Sequence, residues 1–276
     1  MSERPEWRRI VIACDAACDI RIAVGEAAVL AQRLNAALHG IFLEDENLFR
    51  LASLPFGRQM TLSPDVSETL SLDDLEKVSA ALSAGMRRVL EEAAAQHGLE
   101  WSFAVLRDLP SVTALAEIEA DVLVVEATTR PFSGSWRPPS AWSALAENVP
   151  RTTLIRRRMQ ARARHETVLI LLGQLVDRER VLVGGFAMAR PEDRVTILVQ
   201  TESPADIESV REIVRRSGSR PQQEVRVELA ANEPAALLLQ IERADPAIIA
   251  TDADGGGTLH TRELLAGTRC DVLLLR

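Results

Sequence analysis

Short apolar runs of strand length alternate along the chain with longer stretches in which apolar residues recur every three or four positions. The first pattern is typical of strands buried on both faces of a sheet, and the second of helices that cover such a sheet. Strands are predicted at 9–15, 38–43, 101–107, 121–126, 152–156, 167–172, 195–200, 224–229, 247–251 and 271–275. Helices are predicted at 20–38, 71–97, 111–119, 141–148, 177–189, 203–218 and 232–244, with Ser71 and Asn232 as caps.

The order of strands and helices restarts at residue 167, after a basic linker. Strands that alternate with helices imply parallel sheets with right-handed crossovers. We therefore predict an α/β fold built from two tandem five-stranded parallel-sheet α/β sandwiches. The predicted domains are 1–158 and 167–276, with the linker at 159–166.

Two segments do not follow this alternation. The segment 44–66 contains a short amphipathic stretch, 48–54, that stops at Pro55. It is interpreted as a lid over the ends of the first strands, or as a contact for a partner or a second copy. The basic cluster at 156–158, with Arg162 and Arg164, is interpreted as a solvated linker, or as a docking site for an acidic partner or a lipid headgroup.

Composition narrows the classes of function. A chain of 276 residues with 47 % apolar residues is long enough for two cores. We expect a cytoplasmic protein without membrane insertion, since no apolar stretch reaches the roughly 18 residues of a membrane span and no signal peptide is evident. The net charge of −8 disfavours nucleic-acid binding. The three cysteines are interpreted as buried reduced thiols, with a redox pair of Cys14 and Cys18 as the alternative.

A strand that ends in Asp15, a helix, and a second strand with the sequence LHGIFLED resemble the opening of a universal stress protein domain, an adenine nucleotide alpha hydrolase-like fold. The resemblance covers both predicted domains, apart from 44–66. It implies a loop after the fourth strand with the pattern G-x2-G-x9-G-[ST], which holds ATP phosphates in the members that bind ATP. It also implies that domains pair through their fifth strands, here 152–156 and 271–275 within one chain. Edge strands would in addition permit a homodimer.

The pattern of that loop is degenerate in this chain. Glu126, Thr129 and Pro139 stand at the three glycine positions, and only Ser140 is retained. Proline has no N–H for a phosphate, and Glu126 would direct a carboxylate towards it. In the second domain the loop is about five residues shorter, and its glycines, 255–257, are out of register. We therefore predict no cofactor, with ATP as the alternative.

Ligands of open α/β sheets bind at the carboxyl ends of the strands. The candidate ligand-binding residues there are Asp15, Leu43, Glu126, Thr129 and Ser140. Several strands of the first domain end in acidic residues, which predicts either a crevice that favours a cation or solvated carboxylates without a ligand. No catalytic set or metal-ligand spacing is present in the sequence, so no catalytic residue and no metal site are predicted.

The resulting prediction is a non-catalytic, universal stress protein-like protein that acts in stress response or regulation through protein contacts or a small ligand, with the partner unknown. The alternative is a nucleotide-binding (ATP or AMP) signalling module with slow hydrolysis, using Asp15 and Ser140 of the first domain. A third possibility is a regulatory partner of a transporter, which the resemblance permits.

Overall fold

The computed structural model describes residues 7–54, 58–60, 67–69, 71–126, 148–157, 166–173, 177–216, 223–253 and 259–276. Its first half comprises the following elements: β1 Arg9–Cys14, α1 Ile20–Leu34, β2 Ala37–Asp45, α2 Glu46–Ala52, β3 Arg58–Met60, β4 Ser67–Thr69, α3 Leu72–His97, β5 Trp101–Asp108, α4 Val112–Glu117, β6 Val122–Glu126 and β7 Thr153–Arg156. Its second half comprises β8 Thr167–Leu172, α5 Arg178–Met188, β9 Arg194–Val199, α6 Pro204–Arg216, β10 Val225–Leu229, α7 Pro234–Ala244, β11 Pro246–Asp252, α8 Thr261–Gly267 and β12 Asp271–Leu275.

One ten-stranded sheet runs through both halves, in the order β10-β9-β8-β11-β12-β7-β6-β1-β2-β5. Each half repeats the same order, in which its first strand lies between its second and fourth. Neighbouring strands are parallel throughout this sheet except at β7 and β12, which pair antiparallel through three residue pairs at the centre. The strands predicted to pair therefore do so within one chain. The α/β fold is confirmed, while the domain boundaries at 158 and 167 stay a prediction.

Apolar side chains cover both faces of the sheet. Alternate residues of β1 enter different cores: Ile10 and Ile12 pack into one cluster, and Val11 and Ala13 into the other. Each cluster contains residues from both halves of the chain, so neither core stops at the β7–β12 junction. This burial on both faces explains why the strands have near-continuous apolar sequences.

Several predicted boundaries are wrong, each for a local reason. The first helix ends at Leu34, not at residue 38, because Asn35 turns the backbone into the left-handed region (φ 54°) and β2 follows at once. The helix assigned to an Asn232 cap begins at Pro234, with Glu233 at the capping position, because proline suits the first helical residue. Ser71 occupies the capping position of α3, but its side chain makes no capping hydrogen bond.

Other elements were not predicted or lie outside the described residues. The β3–β4 pair and α8 have no counterpart in the sequence prediction. The helix predicted at 141–148 and the helix stop at Gly218 fall outside the described residues, apart from residue 148. Within the described ranges, no helix is both long enough and apolar enough to cross a membrane.

The start of the basic cluster is not a solvated linker. Arg156 is the last residue of β7 and only 3 % exposed. The Arg157 backbone N–H donates to Asp271 Oδ1 at 2.7 Å, and its guanidinium donates to the Thr268 carbonyl at 2.6 Å. Arg157 therefore connects the end of β7 with the second half, and Arg156 is buried at this junction. Arg158, Arg162 and Arg164 lie outside the described residues.

Candidate functional site

The candidate site lies where β1 and β6 end. These two strands are adjacent in the sheet. The next strand after β1 is β2, on one side of the pair, and the next strand after β6 is β7, on the other side. Crevices form at such points outside the carboxyl ends of parallel strands. The second half has the equivalent point between β8 and β11.

Three of the five predicted site residues meet at this edge of the sheet. Cys14 pairs with Phe42, and Ala13 pairs with Val125, so Asp15, Leu43 and Glu126 each follow these pairs by one residue. Leu43 is 2 % exposed and belongs to a hydrophobic core, so it is a packing residue below this edge of the sheet. Thr129 and Ser140 lie outside the described residues.

Glu126 is the central side chain of the site. It is 7 % exposed, and its Oε2 accepts the backbone N–H of Asp19 at 2.9 Å. Asp19 is the capping residue of α1, and no acidic residue follows in the first turn of that helix. Unpaired N–H groups and the helix dipole favour a negative charge at a helix N-terminus. At the start of α1 the Glu126 carboxylate takes the place that a bound anion would otherwise occupy.

The Cys18 thiol also contacts Glu126, and the Cys14 thiol in turn contacts Cys18. The Cys18 Sγ lies 2.7 Å from Glu126 Oε2 and 2.7 Å from the Cys14 Sγ. The contact with Cys14, together with burial, raises the pKa of Cys18 well above its ordinary value. The Cys18 thiol donates to Glu126, and its raised pKa disfavours the thiolate, which is the reactive form. Cys14, Cys18 and Cys270 are all buried and free.

The other acidic strand ends are also engaged by the protein's own donors. Asp15 accepts the backbone N–H of Ala17 at 2.9 Å, and Asp45 accepts that of Asn47 at 2.8 Å to cap α2. Glu44 is 8 % exposed and receives the Arg107 Nε at 2.6 Å. The carboxylates that the sequence predicted to form an acidic crevice, or to be solvated, thus have contacts within the protein.

Arg107 was not recognised in the sequence. Its guanidinium carbon lies 3.8 Å from the centre of the Phe49 ring, so the same side chain connects Glu44 with α2. The Ser79 hydroxyl of α3 also donates to Glu44. The position of α2 beside the end of β2 agrees with the lid interpretation, while Leu48 and Leu51 remain about half exposed on its outer side. An arginine at the end of a strand was the available signal, but its partner is 63 positions away.

The second half repeats the arrangement with different residues. Asp252, the last residue of β11, is 4 % exposed and forms an ion pair with Arg180 in the first turn of α5. Asp177 caps that helix by accepting the Arg180 N–H at 3.1 Å. Nearby, a hydrogen bond from Arg178 lowers the pKa of Asp206. Glu126 and Asp252 therefore hold equivalent positions, each joining the end of a fourth strand to the start of a first helix.

Comparisons with solved structures identify this architecture. A universal stress protein from Archaeoglobus fulgidus aligns over 96 % of both chains with a TM-score of 0.59 at 12 % identity. A putative universal stress protein from Pseudomonas aeruginosa covers 98 % of this chain and 94 % of its own, with a TM-score of 0.53 at 16 % identity. The chain has a universal stress protein-like fold.

A functionally unknown protein from Pseudomonas aeruginosa is similar to the same degree, with a TM-score of 0.52, 16 % identity, and coverage of 98 % of this chain and 92 % of its own. No family model and no curated protein matches the chain. The resemblance inferred from the strand and loop motifs is thus confirmed at the level of the fold. Among the described residues, no group of three histidine, cysteine or acidic side chains is placed to hold a metal ion.

Proposed function

We propose that this universal stress protein-like chain is a non-catalytic cytoplasmic protein that acts in stress response or regulation through protein contacts or a small ligand, and that it does not bind ATP. The observation that carries the proposal is the hydrogen bond from the Asp19 N–H to the Glu126 carboxylate. An internal carboxylate occupies the helix N-terminus at the carboxyl edge of the sheet, where a phosphate would otherwise find N–H donors.

The second half supports the same proposal. Arg180 is the cation best placed to meet a phosphate at the end of β11, but it is paired with Asp252. A phosphate would have to displace a carboxylate in either half, and the displaced carboxylate would then stand beside the ligand's negative charge. Both effects disfavour an anionic nucleotide.

The experiment is isothermal titration calorimetry of the full chain with ATP and AMP, each with and without Mg²⁺. We expect no binding by the wild type at millimolar nucleotide. The Glu126→Gly variant restores the first glycine of the loop pattern and removes the carboxylate, so weak nucleotide binding gained by this variant would show that Glu126 is the excluding group.

Glu119→Ala is the matched control, because Glu119 is an exposed carboxylate of the same half, paired with Arg9 at 3.1 Å. ATP binding by the wild type that Glu126→Gly leaves unchanged would overturn the proposal. It would favour the alternative function, a nucleotide-binding signalling module.

A further inference from the structure

A small cavity, partly open to solvent, lies at the junction between the halves, beside the end of β7 and the start of β12. Its volume is about 30 Å³, and α1, the end of α5, and the central strands line it. Its charged lining residues are Glu26, Arg33, Arg156, Arg190 and Asp271. The remaining lining residues are apolar, so the partners of a buried polar group that faces the cavity are the other charged residues or an occupant of the cavity.

Arg156 is the group that lacks such a partner. It is 3 % exposed, and its Nη1 is fully buried without a hydrogen-bond acceptor among the residues that the structure describes. Its Nε lies 3.9 Å from Asp271 Oδ2, which is too long for a hydrogen bond. The other oxygen of Asp271 accepts the Arg157 N–H at 2.7 Å. A buried donor of a charged group left without an acceptor is strongly unfavourable, so an acceptor inside the cavity is expected.

The remaining charges around the cavity favour a negative occupant. Arg190 Nη2 lies 3.6 Å from Glu26 Oε2, and Arg156 faces Asp271, so two arginines are balanced by two carboxylates. Arg33 is a third guanidinium, and it donates to the carbonyls of Ala187, Met188 and Ala189 at the end of α5. The lining therefore carries three guanidinium groups against two carboxylates, which is one formal positive charge in excess.

The volume limits what this occupant can be. A cavity needs roughly 10–15 Å³ to hold one water, so this cavity has room for about two waters or for one monatomic anion. We propose that the cavity binds one monovalent anion of halide size, which accepts a hydrogen bond from Arg156 Nη1. Because α1 and β7 of the first half and α5 and β12 of the second half surround this anion, its binding stabilises the junction. Arg156 is the register partner of Glu126 on the neighbouring strand, but this inference does not rest on the function proposed for Glu126.

The direct test is a crystal grown in sodium bromide, with anomalous diffraction measured at the bromine edge. The expected result is a bromine peak within hydrogen-bonding distance of Arg156 Nη1. Density for water alone, without an anomalous peak, would overturn the proposal.

The solution test follows the melting temperature of the full chain against bromide concentration, with sodium gluconate added to keep the ionic strength constant. We expect the melting temperature of the wild type to rise with bromide and to saturate, because an ion that binds only the folded state stabilises it. Gluconate is too large for the cavity. A bromine peak in the crystal without saturable stabilisation in solution would indicate an adventitious ion only and would also overturn the proposal.

Variants connect the two measurements. Arg156→Met removes the donor and is expected to abolish the bromide effect, while Arg243→Gln, an exposed arginine distant from the cavity, leaves it unchanged. If Arg156→Met does not fold, the Glu26→Gln variant is used to test the site instead. Removing this negative charge should lower the half-saturating bromide concentration by about threefold or more. An unchanged or higher value for Glu26→Gln would contradict the proposed site.

Discussion

Replacing Glu126 by alanine is expected to destabilise the protein measurably, although the residue ends a strand beside a loop. The Asp19 N–H and the Cys18 thiol both contact Glu126 Oε2, at 2.9 Å and 2.7 Å. A hydrogen bond to a charged acceptor contributes about 1.5–3 kcal/mol, and a thiol is a weaker donor than an amide. Because Glu126 is only 7 % exposed, water cannot readily replace the lost carboxylate.

We therefore expect Glu126→Ala to lower the free energy of unfolding by about 2–3 kcal/mol, which corresponds to roughly 4–6 °C in melting temperature for a chain of this size. Glu126→Gln keeps an acceptor of the same shape without the charge, so its loss should be nearer 1 kcal/mol.

The assay is urea unfolding followed by circular dichroism at 222 nm. Glu119→Ala serves as the control, because Glu119 has an 86 % exposed side chain, so it should change the free energy of unfolding by less than about 0.5 kcal/mol. The reasoning is refuted if Glu126→Ala is as stable as this control, or if Glu126→Gln is less stable than Glu126→Ala. Either result would mean that the carboxylate does not stabilise the start of α1.

Three further predictions concern packing, helix propensity and pH. A Cβ at Gly185 would lie 2.6 Å from Ile170 Cδ1, so Gly185→Ala should cost about 1–3 kcal/mol in thermal unfolding. Gly25 has no heavy atom within 4 Å of such a Cβ, so Gly25→Ala should gain up to about 1 kcal/mol from helix propensity, and a loss there would contradict the packing of α1. The hydrogen bond from Arg178 lowers the pKa of Asp206 from 3.8. The stability that this carboxylate contributes is therefore present above pH 3.8 and is lost as the pH falls through its lower folded-state pKa. The difference in urea midpoint between the wild type and Asp206→Asn should be constant above about pH 5 and should shrink below pH 3.8. A difference that grows on acidification would contradict the lowered pKa of Asp206.

Much of the secondary structure could be predicted because its signals are local. The apolar runs of the strands and the helical spacing between them lie within windows of about ten residues, and this pattern repeats after residue 167. The errors occur where local signals compete. Asn35 ends α1 while apolar residues continue into β2, and α8 has only seven residues, too few for a clear periodicity.

The candidate site could be predicted as a place but not as a set of contacts. Parallel strands bring their carboxyl ends to one edge, which was sufficient to select Asp15, Leu43 and Glu126. It was not sufficient to show that Leu43 is a core residue, or that Glu126 already has donors.

The sequence by itself determined the α/β class, the repeated order of elements, and the degenerate loop pattern, because each of these depends on residues that are close together along the chain. Only the tertiary structure decided which charges meet. Glu126 binds an N–H that is 107 positions away, and Arg157 binds Asp271 across 114 positions. Such contacts depend on strand order and register, which fix the neighbours of a side chain only after the whole sheet has formed. For the same physical reason, Arg156 could be interpreted as part of a solvated linker in the sequence, although in the sheet it is buried at the end of β7, beside Glu126 of β6.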